Sequence, residues 1–170
     1  MSVIANTTVI SNFASIDQLE LLRRLFGSVY ISTEVYREIQ DGLDEGYRFY
    51  GTLIRMMHST SSENWLQLTS AASELELRTL NSLPTSLHPG EASSLAIAQT
   101  RGWYFLSDDL AARNYATRAG INLSGSIGCL VLAVERGLCP LEFANSLLDQ
   151  MIQQGFRSPL NDVGPILRQP

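Results

Sequence analysis

The sequence predicts an α/β protein, a three-layer α/β/α sandwich around a central, mainly parallel sheet. Two observations carry this. Short apolar runs of strand length alternate with longer segments whose apolar residues recur at helical spacing. The short runs are also apolar on both faces, which suits parallel strands covered by helices on either side. With 170 residues, 45% of them hydrophobic, one domain over residues 1–170 with a sizeable core is expected. No internal repeat, low-complexity segment or linker divides it.

The elements follow in order. "VIA" (3–5) reads as a strand, and Val9, Ile10 and Phe13 begin a helix behind it. In "DQLELLRRLFG" Leu19, Leu22 and Leu25 are three apart, with Asp17 as the start signal and Gly27 as the stop. "SVYIS" (28–32) is a short strand, followed by a helix "TEVYREIQDG" closed by Gly42. Residues 44–58 read as helix, with Tyr47, Phe49, Leu53, Ile54 and Met57 on one broad face. "NWLQLTS" alternates as a strand does, and 71–82 form an amphipathic helix ending at Leu83-Pro84. "HPGEASSLAIAQTRG" is a helix with Pro89 near its start and Gly102 at its end. "WYFLS" is a strand, about 108–119 a helix and "INLS" a last strand. Helices over 126–136 and 140–154 lead to a tail, about 157–170, that is irregular or weakly helical.

Composition removes several classes. The formal charge is −5, and all 12 basic residues are arginine. Without lysine there is no phosphate loop of the GxxxxGK[ST] kind and no Schiff-base lysine. The acidic balance gives no broad electrostatic footprint for nucleic acid, so any such role falls to local arginines or metal ions. No uncharged run reaches the ~18–20 residues of a membrane span, and no signal peptide is expected. Cys129 and Cys139 suit free thiols in a reducing cytoplasm better than a disulfide framework.

Parallel α/β sheets place their sites at the carboxyl ends of strands. Two such ends are polar: Asn6-Thr7-Thr8, and Ser107-Asp108-Asp109. Glu91, beside Ser93 and Ser94, opens one helix. Glu38 stands near the C-terminal end of another, where a carboxylate opposes the helix dipole. Each also has an ordinary explanation: Ser107 with its two acids is a good helix start, and Thr7 and Thr8 are good caps. His58 and His88 read as surface loop residues apart from the carboxylates.

Taken together, "IANTTVISNF", "ISTEVYREI", "GEASSLAIA" and "FLSDDLAARNYATRAGI" have the order and spacing of a PIN domain. The later "LSGSIGCLVLAVERGL" resembles one branch of that family. The resemblance covers about residues 3–156 and implies a metal-dependent nuclease, in a family that includes the VapC-type toxins. Carried over, the family's acids fall on Asn6, Glu38, Glu91 and Asp109 as catalytic positions, with Asp108 a second carboxylate beside the last. Asn6, Glu91, Asp108 and Asp109 become the expected ligands of Mg²⁺ or Mn²⁺. Such cations take oxygen ligands, and a bound ion can activate water and neutralise phosphate. The family's first acid is usually Asp. Asn6 keeps a coordinating oxygen but not the charge, which implies weaker metal affinity.

Thr7, Thr8 and Ser11 offer hydroxyls to water or phosphate. Arg113 reads either as an i,i+4 partner of Asp109 or, with Arg118, as a contact for phosphate or for an acidic partner. The resemblance further implies an RNA substrate, a cognate antitoxin protein and a homodimer, with no membrane. A PIN fold weakened in catalysis and serving as a binding module is the alternative. A phosphoaspartate receiver, a dehalogenase-type phosphatase and a Rossmann site all fit worse, for want of a lysine, a strand-end Asp or a G-x-G-x-x-G. The stretch 44–83, longer than a minimal PIN domain needs, has no role assigned by sequence.

Overall fold

The computed structural model describes residues 1–58 and 65–167. Asn64, where the third strand is expected to start, and the last three residues of the expected tail lie outside the described residues. Strand β1 (Val3–Ala5) leads into helices α1 (Thr7–Ser15) and α2 (Leu19–Phe26), and β2 (Val29–Ser32) into α3 (Thr33–Asp44) and α4 (Tyr50–His58). Then come β3 (Leu66–Thr69) with α5 (Glu74–Ser82) and α6 (Pro89–Arg101), and β4 (Tyr104–Leu106) with α7 (Leu110–Arg118). Strand β5 (Leu123–Ser124) precedes α8 (Ser126–Glu135) and α9 (Leu141–Gln153), and a 3₁₀ turn at Gly164–Ile166 lies in the tail.

All five strands pair in parallel, in the order β3-β2-β1-β4-β5. Ile4 of β1 stands between Tyr30 of β2 and Phe105 of β4. Alternation along the pleat sends Val3, Ala5, Val29 and Ile31 into one core with the apolar residues of α1, α2, α8 and α9. Ile4 and Phe105 join Leu95, Ile97, Ala112 and Ala116 of α6 and α7 in the other. The sheet is thus the middle of three layers, as expected. Strand order reverses between β1 and β4, and the helices that follow these two strands leave to opposite faces. A crevice therefore opens beyond their carboxyl ends, and both polar strand ends border it.

Several boundaries depart from the sequence reading; the helix expected over 71–82 begins only at Glu74, where Ser73 caps it, and the strand expected over 121–124 is only Leu123–Ser124. Gly42 does not close α3 but lies inside it, because the ring of Tyr50 packs where its side chain would be: a Cβ there would stand 2.5 Å from Tyr50 Cε2. The helix expected over 44–58 is broken instead, with the chain turning back at Gly46 (φ 105°) and the Tyr47 N–H bonded to the Gly42 carbonyl at 3.0 Å. Asp17 does not start α2 but ends α1. It takes the left-handed position (φ 55°) that glycine usually fills, while the Gln18 N–H reaches the Phe13 carbonyl at 2.8 Å. Helix α7 begins at Leu110, capped by Asp109. Among the described residues no helix is long and apolar enough to cross a membrane. Both cysteines are free thiols, and burial pushes the Cys129 thiol up.

Candidate active site

Two polar contacts, one buried and one half-buried, lock α3 against α6 and so set the acids they carry. Ser32 caps α3, accepting the Val35 N–H at 3.1 Å, and receives the Ser93 hydroxyl of α6 at 2.8 Å. One turn on, Glu38 Oε1 accepts the Gly90 N–H at 2.8 Å, at the amino end of α6 where orphan N–H groups favour an anion. The glycine permits this approach. A Cβ on Gly90 would lie 2.6 Å from both carboxylate oxygens of Glu38. The other oxygen accepts the Thr7 hydroxyl, so Glu38 is tied to α1 as well.

Glu91 is 8% exposed and bends back to accept the His88 N–H at 2.9 Å. Burial raises its carboxyl, and the charges of Asp109 and Glu38 add to the effect against that hydrogen bond and the attraction of the His88 ring. Asp109 Oδ1 caps α7 through the Ala112 N–H at 2.7 Å. Its Oδ2 and Glu91 Oε1 have no hydrogen bond among the described residues. Asn6, 1% exposed, follows β1 and donates from Nδ2 to Ser107 Oγ at 2.8 Å, while Oδ1 accepts the Thr8 hydroxyl at 2.6 Å. Ser107 Oγ also accepts the Asp109 N–H at 3.1 Å, so one hydroxyl joins the first polar strand end to the cap of α7. Glu38 and Glu91 thus face one cleft beside Asn6, while Asp109, tied to Asn6 through Ser107, stands near enough for its charge to act on Glu91 without lining that cleft.

A cleft of about 590 Å³ opens there, lined by Asn6, Thr7, Thr8, Glu38 and Glu91, with Glu34, Arg37 and Asp41 along the same face of α3. Spacings of three, four and seven from Glu34 put Arg37, Glu38 and Asp41 on one face. That periodicity could have named the three residues that sequence reading missed. His88 also lines the cleft, against the expectation that it stands apart, because it is the residue that caps α6. His58 does stand apart, although as the last residue of α4 rather than in a loop, bonded to the Tyr36 hydroxyl at 2.9 Å. Ser107, buried and silent in sequence except as a cap, is the clamp on Asn6.

Other expected residues are placed elsewhere. Both oxygens of Asp108 are engaged: Oδ1 accepts the Ser126 N–H at 2.8 Å, and Oδ2 accepts the Ser126 hydroxyl at 2.5 Å and Asn12 Nδ2 at 3.0 Å. It anchors the start of α8 to α1. The Ser11 hydroxyl donates to the Thr7 carbonyl and lines a separate pocket. Arg113 donates to the Ser107 carbonyl at 2.7 Å, and among the described residues no ion pair joins it to Asp109. Arg118 ends α7 in a different groove, beside Leu87 and Asn114, because nine residues of helix carry it about 13 Å from Asp109. Ser94 Oγ is buried without a hydrogen-bond partner among the described residues.

A family model described as a PIN domain matches residues 2–169. The chain belongs to the PIN-domain family. This accords with the all-parallel five-stranded sheet between helical layers. PIN domains are generally nucleases that use divalent metal ions, and so act on nucleic acid. No curated protein matches this PIN domain.

Proposed function

We propose that this PIN domain is a metal-dependent endoribonuclease of the VapC toxin type, a cytoplasmic homodimer restrained by a cognate antitoxin. The observation that carries the nuclease reading is the cleft that Glu38 and Glu91 share with Asn6, where Glu91 is buried, feels the charge of Asp109 and is met by no arginine among the described residues. The toxin class, antitoxin and dimer extend the likeness of the motifs around Asn6, Glu91 and Asp109 and rest on that likeness alone.

The donor set is oxygen throughout, which suits Mg²⁺ or Mn²⁺. Among the described residues no three acidic, histidine or cysteine side chains close into a metal-binding group. That is compatible with the way Mg²⁺ is usually held, by one or two carboxylates together with waters and substrate phosphate. Glu91 and Asp109 would hold the ion through the oxygens they leave free, with Asn6 Oδ1 beside them. When bound, it would lower the pKa of a water and neutralise charge on the phosphate.

The chain's own residues supply the rest. Glu91 carries its charge against burial and two like charges, a cost that a cation relieves. Glu38, with an N–H or hydroxyl on each oxygen, fixes Thr7 and the first turn of α6. Arg37, 71% exposed and only 3.9 Å-paired to Glu34, is the cation at the cleft rim available to a backbone phosphate. The net reaction is addition of water across a P–O bond of the RNA backbone.

Cleavage of a fluorescent single-stranded RNA with Mn²⁺ tests this. The wild type is expected to cut, EDTA to stop it, and Glu91→Gln or Asp109→Asn to abolish it. Asn6→Asp is expected to tighten Mn²⁺ binding by about tenfold, since charge count tunes affinity. Unchanged binding and cleavage in that variant would remove Asn6 from the site. One observation favours the binding-module alternative: Asn6 serves as a donor clamp to Ser107, a role an aspartate could not fill without a proton. RNA binding without cleavage at any Mn²⁺ concentration would establish it.

A further inference from the structure

The turn between α3 and α4 folds three aromatic rings over the polar side of α1. Phe49 stacks at a tilt on Tyr50 with centroids 4.5 Å apart, and Tyr47 stands 5.9 Å from Phe49 and 6.3 Å from Tyr50. With Asn12, Ser15 and Gln154 they line a pocket of about 260 Å³. Tyr47 is 54% exposed, a large ring left in water beside two others. The pocket adjoins the cleft. Thr7 lines the cleft, and Ser11, one helical turn or about 6 Å further along α1, is bonded to the Tyr50 hydroxyl and lines the pocket.

Along α1 the polar groups have spent their protons, while the Gln154 amide across the pocket can both donate and accept. Asn12 Nδ2 donates to Asp108 Oδ2 and to Ser126 Oγ, both at 3.0 Å, and so leaves its carbonyl oxygen as what it can offer. The Ser15 hydroxyl donates to the backbone carbonyl of Asn12 at 3.0 Å, which leaves the Asn12 side-chain Oδ1 open, and the Ser11 hydroxyl to the backbone carbonyl of Thr7 at 2.6 Å. The exposed Tyr47 ring, backed by Phe49 and the buried Tyr50 and with hydrogen-bond acceptors of α1 beside it, matches a flat, unstacked base that brings its own N–H donors.

We propose that this pocket takes one nucleobase of a single-stranded RNA whose neighbouring phosphate lies in the cleft, and that it prefers bases with an exocyclic amine over uracil. The proposal rests on the nuclease reading and gives the 44–58 segment the role that sequence left open: it holds the strand.

The test uses the full chain in EDTA, so that nothing is cut, with single-stranded hexaribonucleotides containing 2-aminopurine. Stacking on the rings is expected to quench the probe, and oligo(A) to bind more tightly than oligo(U). Tyr47→Ala should weaken binding by about tenfold and erase the preference, while Tyr47→Trp retains both. Because Tyr47 is more than half exposed, its truncation leaves the core intact, which circular dichroism checks. Wild-type affinity in both Tyr47→Ala and Phe49→Ala, with no quenching, overturns the base pocket. Hydrolysis of bis(p-nitrophenyl) phosphate by the wild type in Mn²⁺ separates the two readings, since that diester has no base. If it is hydrolysed while Tyr47 proves indifferent, the nuclease stands and the pocket falls. If it is untouched while RNA binding still depends on Tyr47, the pocket stands and the nuclease falls.

Discussion

Two glutamates occupy the third position of a helix, Glu76 in α5 and Glu91 in α6, and each bends back to accept the N–H of its capping residue at 2.9 Å. Both are buried, at 4% and 8% exposure. Glu76 also meets Arg101 Nε at 2.5 Å, and that guanidinium is held in turn by Thr69, the Ser70 carbonyl and the face of Trp103. The hydrogen bond from Arg101 holds Glu76 down at about 2. Glu91 meets no arginine among the described residues; burial and two other carboxylates push it the other way, and the His88 N–H and ring oppose them only in part. One local motif therefore yields a staple in α5 and a poised charge in α6. What separates them is whether the fold brings an arginine or more acid.

The largest effect expected from this contrast comes from Glu91→Gln. RNA cleavage should fall roughly 100-fold or more, while the melting temperature holds or rises because a desolvated charge is gone. A variant that cuts normally would strip Glu91 of its role.

Glu76→Gln should do the reverse. Leaving Arg101 without its partner is expected to cost on the order of 2–3 kcal/mol in denaturant unfolding, with cleavage per folded molecule preserved. The pH dependence carries the same sign. Glu76 is depressed from 4.5 to about 2, so the unfolded chain binds its proton first, and the stability it lends is full above pH 4.5. It is lost as pH falls toward 2. Acid unfolding between those values should be steeper in the wild type than in Glu76→Gln, and equal slopes would deny the staple.

Much of this was legible in sequence because it was local. The strands, the helix ends at Gly27 and Gly102, and the acids at 91 and 109 follow from apolar period and cap chemistry. Their gathering became legible only through the likeness of "GEASSLAIA" and "SDDLAAR" to a family. Long-range partnership was not legible. Nothing near Asp108 announces that Ser126 and Asn12, 18 and 96 residues away, take its oxygens. Nor does α7 announce that Arg113 folds back onto Ser107. Gly42 misled because glycine ends helices when it is free, and here the Tyr50 ring fills its place.

Gly90→Ala sharpens the contrast at moderate cost. Alanine suits a helix better than glycine, so stability should hold, but its Cβ displaces the Glu38 carboxylate and cleavage should drop by about tenfold. Parallel loss of both would show a folding defect instead. Smallest is Arg37→Ala, where KM for RNA should rise about threefold with kcat little changed, and the salt dependence of binding should flatten by about one unit of slope. An unchanged salt slope would place the phosphate elsewhere.

Calorimetric titration of Mn²⁺ into the wild-type chain and into Glu91→Gln at pH 7 reaches the core of the account. A saturable site in the first and its loss in the second is the result expected of an acidic centre that no arginine neutralises. Equal binding by both chains, or none by either, would contradict it.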